Sequence, residues 1–314
     1  MQKKYRLHLF FCICHENVLP LQAKCMYMKK IIICLFLCLP FAVNAEVLFS
    51  DDFEYADGSV LTVNKEWFLQ WGGESSMAIV TPGLEFGSYP GNAAHGLLIE
   101  GDVTNDMPHH AFEQVKNGDV YVSLLLEPTF VTKSGYFLTL RDEKANNTAY
   151  NYCGRIYAGV DEEYNNIVGL RFFKKADAVF ADKILDSDKT YLVVMRYHIV
   201  QGNNNDEISL YLFDAMPDHE PETPLIGPLT DPNAPDINPA HVVFHSYDDD
   251  GMLTVDGLRV ATTFREAVGL ASEPEPQGLT TPAAKTDTAS KKLSGGHILI
   301  ERNGILFDML GKTL

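Results

Sequence analysis

The chain has 314 residues, of which 46% are hydrophobic, and its 42 acidic residues outnumber 25 basic ones to give a net charge of -17. This length and apolar content suffice for one large buried core. The acidic balance disfavours nucleic acid and anionic membrane surfaces as partners.

The first predicted element is a secretory signal peptide at residues 28–45. Two lysines follow Met28, an apolar run comes next, and small residues precede Glu46, which are the three parts of a cleavable export signal. The apolar run is broken by Pro40 and is short for a hydrocarbon layer of about 30 Å. We therefore predict no membrane insertion of the mature chain. Residues 1–27 do not fit in front of such a signal, and we interpret them as an upstream extension that is not part of the protein.

Cleavage after residue 45 changes both the charge and the cysteine content. The remaining chain holds 19 Lys and Arg against 41 Asp and Glu, a net charge of -22, and Cys153 is its single cysteine. A disulfide within one monomer is therefore excluded. Cys153 lies in the strand-like stretch NYCGRIYAG, which favours a small buried apolar residue over a nucleophile.

Residues 46–269 are predicted to form one all-β domain because their apolar side chains alternate with a period of two. Val120, Val122, Leu124 and Leu126 share one face of DVYVSLLLEP, and GYFLTL, YLVVMRYHIV and EISLYLF repeat the pattern. Asn-Gly and Ser-Gly turn dipeptides separate the runs. No stretch of ten or more residues has the pattern of an amphipathic helix. We expect an antiparallel β-sandwich of two sheets.

The last strand of this domain changes its apolar phase. In MLTVDGLRVATTF, Val255 is apolar at an odd position and Leu258 at an even one, so the phase changes at Asp256 and Gly257. A glycine at such a change predicts a β-bulge that redirects Asp256.

The opening SDDFEYADGS and the closing TVDGLRV, about 200 residues apart, resemble the first and last strands of concanavalin A-like jelly rolls. That superfamily includes laminin-G-like modules of secreted bacterial proteins and laminarinase-like glycoside hydrolases. The stretches GNAAHGLLIE, GDVYVSLLLEPT and TVDGLRVATTF extend the resemblance to a laminin-G-like module over most of residues 46–266. The resemblance implies a concanavalin A-like jelly roll whose first and last strands are neighbours.

The same resemblance implies a structural calcium ion where those two strands meet. Its carboxylate ligands would be Asp51 or Asp52, together with Asp256, and backbone carbonyls would complete the six to eight oxygens that calcium takes. The alternative is that these aspartates are solvated strand ends beside glycine turns.

The hydrolases of the superfamily carry Glu-x-Asp-x-x-Glu, which places carboxylates about 5 Å apart in a sugar cleft. The best match in this chain, Glu100 to Asn105, has an amide where the acid/base glutamate should stand. A Gly-x-Ser-x-Gly elbow, a phosphate-binding glycine loop and His-Glu-x-x-His are also missing from the sequence. These patterns predict that the chain is not an enzyme. The alternatives are a polysaccharide-cleaving enzyme with an unrecognised site and a purely structural surface protein.

A sugar-binding module presents aromatic rings on a sheet or at its rim. Trp71, Tyr89 and Tyr247 are the predicted ligand-binding residues, because they stand in turn-rich stretches, whereas Trp67 is predicted to lie in the core. The predicted partners are a glycan or a cell-surface protein.

The remaining chain divides into two predicted parts. Residues 270–296 are rich in Pro, Thr, Ser, Ala and Lys, which predicts a flexible linker. Residues 297–314 alternate about Asn303-Gly304 and predict a small hairpin. This tail resembles the short C-terminal segments of envelope proteins of Bacteroidota, and Thr288 matches the O-glycosylation signal of that phylum. We expect a secreted protein of the cell envelope or cell surface.

Overall fold

The fold is seen in a computed structural model that describes residues 45–64, 66–70, 75–91, 93–101, 106–143, 151–246, 251–271, 289–294, 297–302, 305–307 and 312. The predicted signal peptide, Trp71, Tyr247 and Thr288 lie outside these residues. Within the described ranges, none of the helices has the length and apolar character needed to cross a membrane.

Strands dominate the described residues, as the alternating pattern predicts. The described ranges contain eighteen strands, one 3-10 turn at Leu61–Val63 and one short helix, α1, at Phe264–Val268. In chain order the strands are β1 (Val47–Asp51), β2 (Phe68–Leu69), β3 (Ala78–Val80), β4 (Gly96–Glu100), β5 (Pro108–Ala111), β6 (Gly118–Val131), β7 (Gly135–Asp142), β8 (Tyr152–Val160), β9 (Asn166–Arg171), β10 (Val179–Leu185), β11 (Tyr191–Ile199), β12 (Glu207–Phe213), β13 (Ile226–Leu229), β14 (Pro239–Phe244), β15 (Gly251–Ala261), β16 (Ala289–Ser294), β17 (His297–Arg302) and β18 (Ile305–Phe307).

Two antiparallel sheets build the main domain, so the predicted two-sheet β-sandwich is confirmed. The eight-stranded sheet has the order β13-β12-β11-β6-β15-β4-β3, and β1 also pairs with β15. The seven-stranded sheet has the order β10-β9-β8-β7-β14-β5-β2. The pairing of β1 with β15 joins the first and last strands of the domain, as the resemblance implies.

The core lies between the two sheets. The four alternating residues of β6 that were predicted to share a face, Val120, Val122, Leu124 and Leu126, are all buried there. Trp67 is also buried in this cluster, where its ring packs on Phe53 and Phe244 with centroids 6.5 and 5.5 Å apart. Cys153 belongs to the same cluster and is fully buried, and burial raises the pKa of its thiol.

The opposite face of the eight-stranded sheet is covered by a second apolar layer. Phe264 of α1 and Leu84 of the loop between β3 and β4 pack there on Tyr121 and Leu125 of β6. Tyr89 belongs to this layer: it is 8% exposed, and its hydroxyl donates to the carbonyl of Gly257 at 2.7 Å and lies 2.8 Å from Ser123 Oγ. This tyrosine, predicted as a ligand-binding residue, is thus largely buried and packs inside the protein.

The predicted β-bulge is present in β15. The pairing of β15 with β6 shifts between Asp256 and Arg259, and Gly257 has a φ of +57°. The bulge also marks a change of partner, because Met252–Val255 pair with β4 and Leu258–Ala261 pair with β1.

The C-terminal segment forms a small separate sheet of three strands, in the order β16-β17-β18. Strands β17 and β18 pair with each other, with Arg302 opposite Ile305, and the predicted turn at Asn303-Gly304 lies outside the described residues. Strand β16 occupies residues 289–294 and pairs with β17, so residues of the predicted linker take part in this sheet.

Candidate functional site

The outward surface of the seven-stranded sheet, here called the outer face, combines cationic, aromatic and imidazole side chains. It carries an arginine on each of three adjacent strands: Arg141 on β7, Arg155 on β8 and Arg171 on β9. Arg155 and Arg171 are register partners across β8 and β9. Three of the eight arginines of an acidic chain thus lie on one sheet surface.

Aromatic rings stack between these guanidinium groups. The Arg155 guanidinium lies 4.5 Å from the centre of the Tyr136 ring, and that of Arg171 lies 5.4 Å from the Tyr157 ring. The His245 ring also stacks on the Tyr136 ring, with the two ring centroids 4.0 Å apart. Cation–π contacts of this kind hold a cation without neutralising its charge.

Further aromatic rings lie towards both edges of the outer face. Phe180 of β10 packs over the bare backbone of Gly159 and Gly169, since a Cβ on either glycine would come within 2.6 Å of its ring. At the opposite edge, Phe68 of β2 is 62% exposed, and its ring lies 6.3 Å from that of His109. Side chains of neighbouring strand residues point to opposite faces, so the burial of Trp67 places Phe68 outside.

Two histidines occupy the part of the outer face beside Arg141. The rings of His109 and His241 lie 5.5 Å apart in an edge-to-face arrangement. Burial, followed by the charge of Arg141, lowers the pKa of His109 to about 4 and that of His241 to about 3. Both imidazoles are therefore neutral at pH 7. Arg141 donates a hydrogen bond to the side-chain oxygen of Gln70 and is the register partner of Tyr152.

Several polar atoms of the outer face are buried without a protein partner. They are His109 Nδ1, His241 Nδ1, Arg155 Nε and Arg171 Nε. Buried donors and acceptors are normally satisfied, and each exception in a folded protein calls for an explanation.

The three aspartates of the predicted calcium site have different surroundings. Asp51 accepts hydrogen bonds from the backbone of Phe53 at 2.8 Å and from Tyr55 and Trp67 at 2.7 Å each. Its carboxylate is thus engaged by three protein donors. Among the described residues, no group of three or more His, Cys, Asp or Glu side chains is placed to hold a metal ion.

Asp52 and Asp256 lie close to one loop. A Cβ on Gly91 would be 3.5 Å from Asp52 Oδ1 and 3.8 Å from the Cα of Gly257. Asp256 is buried and accepts hydrogen bonds from the backbone of Leu84 and Gly257, at 2.8 and 2.6 Å. Burial, with smaller contributions from the charges of Asp52 and Glu54, raises its pKa to about 7. Asp256 is therefore a buried acid without a cationic partner among the described residues.

Comparisons with known proteins give similarities of structure only. No protein-family model matches the chain, and no curated protein matches its sequence. The cellulose-induced protein Cip1 is 14% identical with a TM-score of 0.42, covering 68% of this chain and 97% of that one. A putative β-glucanase from Mycobacterium abscessus is 13% identical with a TM-score of 0.36, covering 68% and 100%. The lumenal domain of VIP36, in a form bound to Ca²⁺ and Man3GlcNAc, is 9% identical with a TM-score of 0.34, covering 67% and 86%.

These similarities correct one prediction from the sequence. The prediction that the chain is not an enzyme is wrong, because the similar structures include a putative β-glucanase and a glycosyl hydrolase family protein from Mycobacterium fortuitum. The missing Glu-x-Asp-x-x-Glu motif excludes one arrangement of catalytic carboxylates. It does not exclude enzymes with other catalytic residues. At these identities and TM-scores the similarities assign no activity or ligand to this chain, and its β-sandwich fold is shown by the pairing of its own strands.

Proposed function

We propose that this protein acts on a glycan that lies across the outer face. The observation that carries the proposal is the row of aromatic rings, interleaved with hydrogen-bond donors, between Phe68 at one edge and Phe180 at the other. Sugar rings pack their apolar faces on aromatic side chains, while their hydroxyls need the donors and acceptors that arginine and histidine supply.

Removing the exposed ring at the edge of this face tests the proposal. We expect Phe68→Ala to weaken glycan binding about tenfold, since loss of one aromatic contact costs about 1 kcal/mol or more. Affinity electrophoresis with laminarin, galactomannan, polygalacturonate and dextran sulfate provides the measurement. Phe130→Ala is the matched control, because Phe130 is also exposed, by 44%, but belongs to the eight-stranded sheet. Equal migration of wild type and Phe68→Ala in every gel would contradict the proposal.

Cleavage of the bound glycan is a second function that one observation favours. The His109 and His241 rings lie 5.5 Å apart beside Arg141, and an imidazole that is neutral at pH 7 can accept a proton. The lowered pKa values of both histidines also make them weak bases. The described residues of this region carry no pair of carboxylates for retaining hydrolysis. The chemistry that fits is β-elimination next to a sugar carboxylate bound by Arg141.

In that reaction an imidazole takes the proton from the carbon that bears the carboxylate. The electron pair of the C–H bond forms a carbon–carbon double bond, and the glycosidic C–O bond breaks with its electron pair moving to the leaving oxygen. Tyr152 or water protonates that oxygen. Incubation with polygalacturonate should yield products with the ultraviolet absorbance of an unsaturated sugar, and His241→Gln should abolish them while binding persists. Unchanged product formation by His241→Gln would remove this histidine from the mechanism.

The proposed setting is the cell envelope or cell surface of a secreting bacterium, where the signal-like residues 28–45 would direct export. The laminin-G-like resemblance and the Bacteroidota-type tail support this setting, and a cell-surface glycoprotein is a compatible source of the glycan. Fractionation of cells that express the full chain provides the test. Recovery of uncleaved protein in the cytoplasm would contradict export.

A calcium ion bound by Asp52 and Asp256 is the proposed structural cofactor. A divalent cation would neutralise the buried Asp256 carboxylate, and carbonyl and water oxygens would complete its coordination. We expect calcium to raise the unfolding temperature of residues 46–314 by several degrees and Asp256→Ala to abolish this shift. Asp51→Asn is the control, because its carboxylate already has three protein donors. Identical melting curves with calcium and with chelator would contradict the proposal.

A further inference from the structure

The paired arginines of β8 and β9 are placed in a way that the fold alone does not explain. Arg155 and Arg171 face each other in register, and directly opposed like charges destabilise a sheet. Among the described residues, no carboxylate forms a salt bridge with either guanidinium and neither donates a hydrogen bond. Arg196 provides the contrast within the same protein, because its Nε lies 2.7 Å from Asp119 Oδ1.

Burial adds to the free-energy cost of placing two guanidinium groups side by side. Arg155 is only 8% exposed, and its Nε and that of Arg171 lack hydrogen-bond partners. The two groups lie over the rings of Tyr136 and Tyr157, and a ring contact of this kind does not satisfy N–H donors with a hydrogen-bond acceptor. The two guanidinium groups thus lie on neighbouring strands, in register, each with an unpartnered Nε donor.

We propose that Arg155 and Arg171 form a subsite for an anionic group of the glycan, a carboxylate or a sulfate. The inference rests on the proposed glycan function and adds the charge of the ligand to it. Guanidinium groups bind such oxyanions through paired N–H···O bonds. Arg141, on the adjacent strand β7, is a further cation on the same face, so the ligand carries acidic groups on more than one sugar unit.

The negative net charge of the chain affects how strongly this subsite can bind an anionic ligand. A chain with a net charge of -17 repels polyanions at long range, so binding depends on direct contact with the arginines. Screening by salt weakens both the repulsion and the contacts. The aromatic rings on both sides of the pair suit the sugar units that connect the acidic groups.

The test compares Arg155→Gln and Arg171→Gln with Lys116→Gln, which removes one exposed charge outside the outer face. Each protein is titrated with polygalacturonate, dextran sulfate and laminarin, which carry carboxylates, sulfates and no charge. We expect either arginine variant to lose at least tenfold in affinity for one or both acidic polymers, and Lys116→Gln to match the wild type. The acidic polymer whose affinity falls more shows whether the subsite binds a carboxylate or a sulfate. The unfolding temperature of each variant checks that it is folded.

The outcomes separate this inference from the proposed function. Binding of laminarin alone would overturn the anionic subsite and leave glycan binding at the outer face intact. Acidic polymers that bind both arginine variants as tightly as the wild type would also overturn the subsite. A wild-type protein that binds none of the three polymers would overturn both.

Discussion

Replacement of Gly257 by alanine is expected to lower the free energy of unfolding by about 2–4 kcal/mol. Gly257 has a φ of +57°, which an alanine adopts with strain, and the added Cβ would lie 2.8 Å from Cε1 of Tyr89. The tyrosine ring would have to move, and its hydroxyl would lose its hydrogen bonds to Gly257 and Ser123. The bulge and the apolar layer over the eight-stranded sheet would be disturbed together.

Gly58→Ala separates backbone strain from the steric clash. Gly58 has a similar φ of +72°, but no heavy atom lies within 4 Å of the position its Cβ would take. We expect this control to cost about 1 kcal/mol, the backbone part alone. Denaturant unfolding of both variants measures the difference. If both variants lose the same free energy of unfolding, the Tyr89 ring moves away from the new methyl group at little cost. The bulge would then be less tightly packed than the distances indicate.

The second large effect is a loss of stability in acid that depends on His241. Its pKa is about 3 in the folded protein and 6.5 in the unfolded chain, so the unfolded chain binds more protons between these values. The histidine's contribution is thus present above pH 6.5 and lost as the pH falls towards 3. With allowance for partial exposure, it amounts to about 2 kcal/mol between pH 7 and pH 4.

Asp256 acts in the opposite sense. Its pKa is raised from 3.8 to about 7, so its contribution to stability falls as the pH rises through this window. The wild-type profile therefore contains opposing terms, and the difference between wild type and His241→Gln isolates the histidine. We expect the variant to lose less stability on acidification. His219→Gln, at a largely exposed histidine, is the control and should retain the wild-type pH dependence. A parallel profile for His241→Gln would contradict a neutral imidazole at this position.

The sandwich could be predicted from the sequence because burial on one face of a strand enforces a two-residue period. Val122 and Leu124 alternate with Tyr121 and Ser123 along β6, and each set lies on its own side of the sheet. The bulge was also predictable, since the inserted residue at Gly257 shifts the period. Phe68 could have been found by the same rule, because it is the outward neighbour of Trp67.

The arginine cluster could not be predicted in this way. Arg141, Arg155 and Arg171 lie 14 and 16 residues apart in the sequence, and only the register of three strands brings them together. A shift of one residue in β9 would turn Arg171 into the core. Asp51 and Asp52 pose a related problem, since adjacent strand residues face opposite ways and the sequence does not say which carboxylate the Trp67 indole contacts.

The change of partner along β15 has a consequence for how the protein forms. Its second half receives β1, and the backbone nitrogen of Glu46 reaches Thr262 Oγ1 across a separation of 216 residues. Contacts between such distant segments form late and slow the folding of a domain. The first strand therefore has no place in the sheet until nearly the whole domain has been synthesised. We expect β1 to stay unpaired until residue 261 has been synthesised, while consecutive strands such as β7, β8 and β9 can already pair with one another.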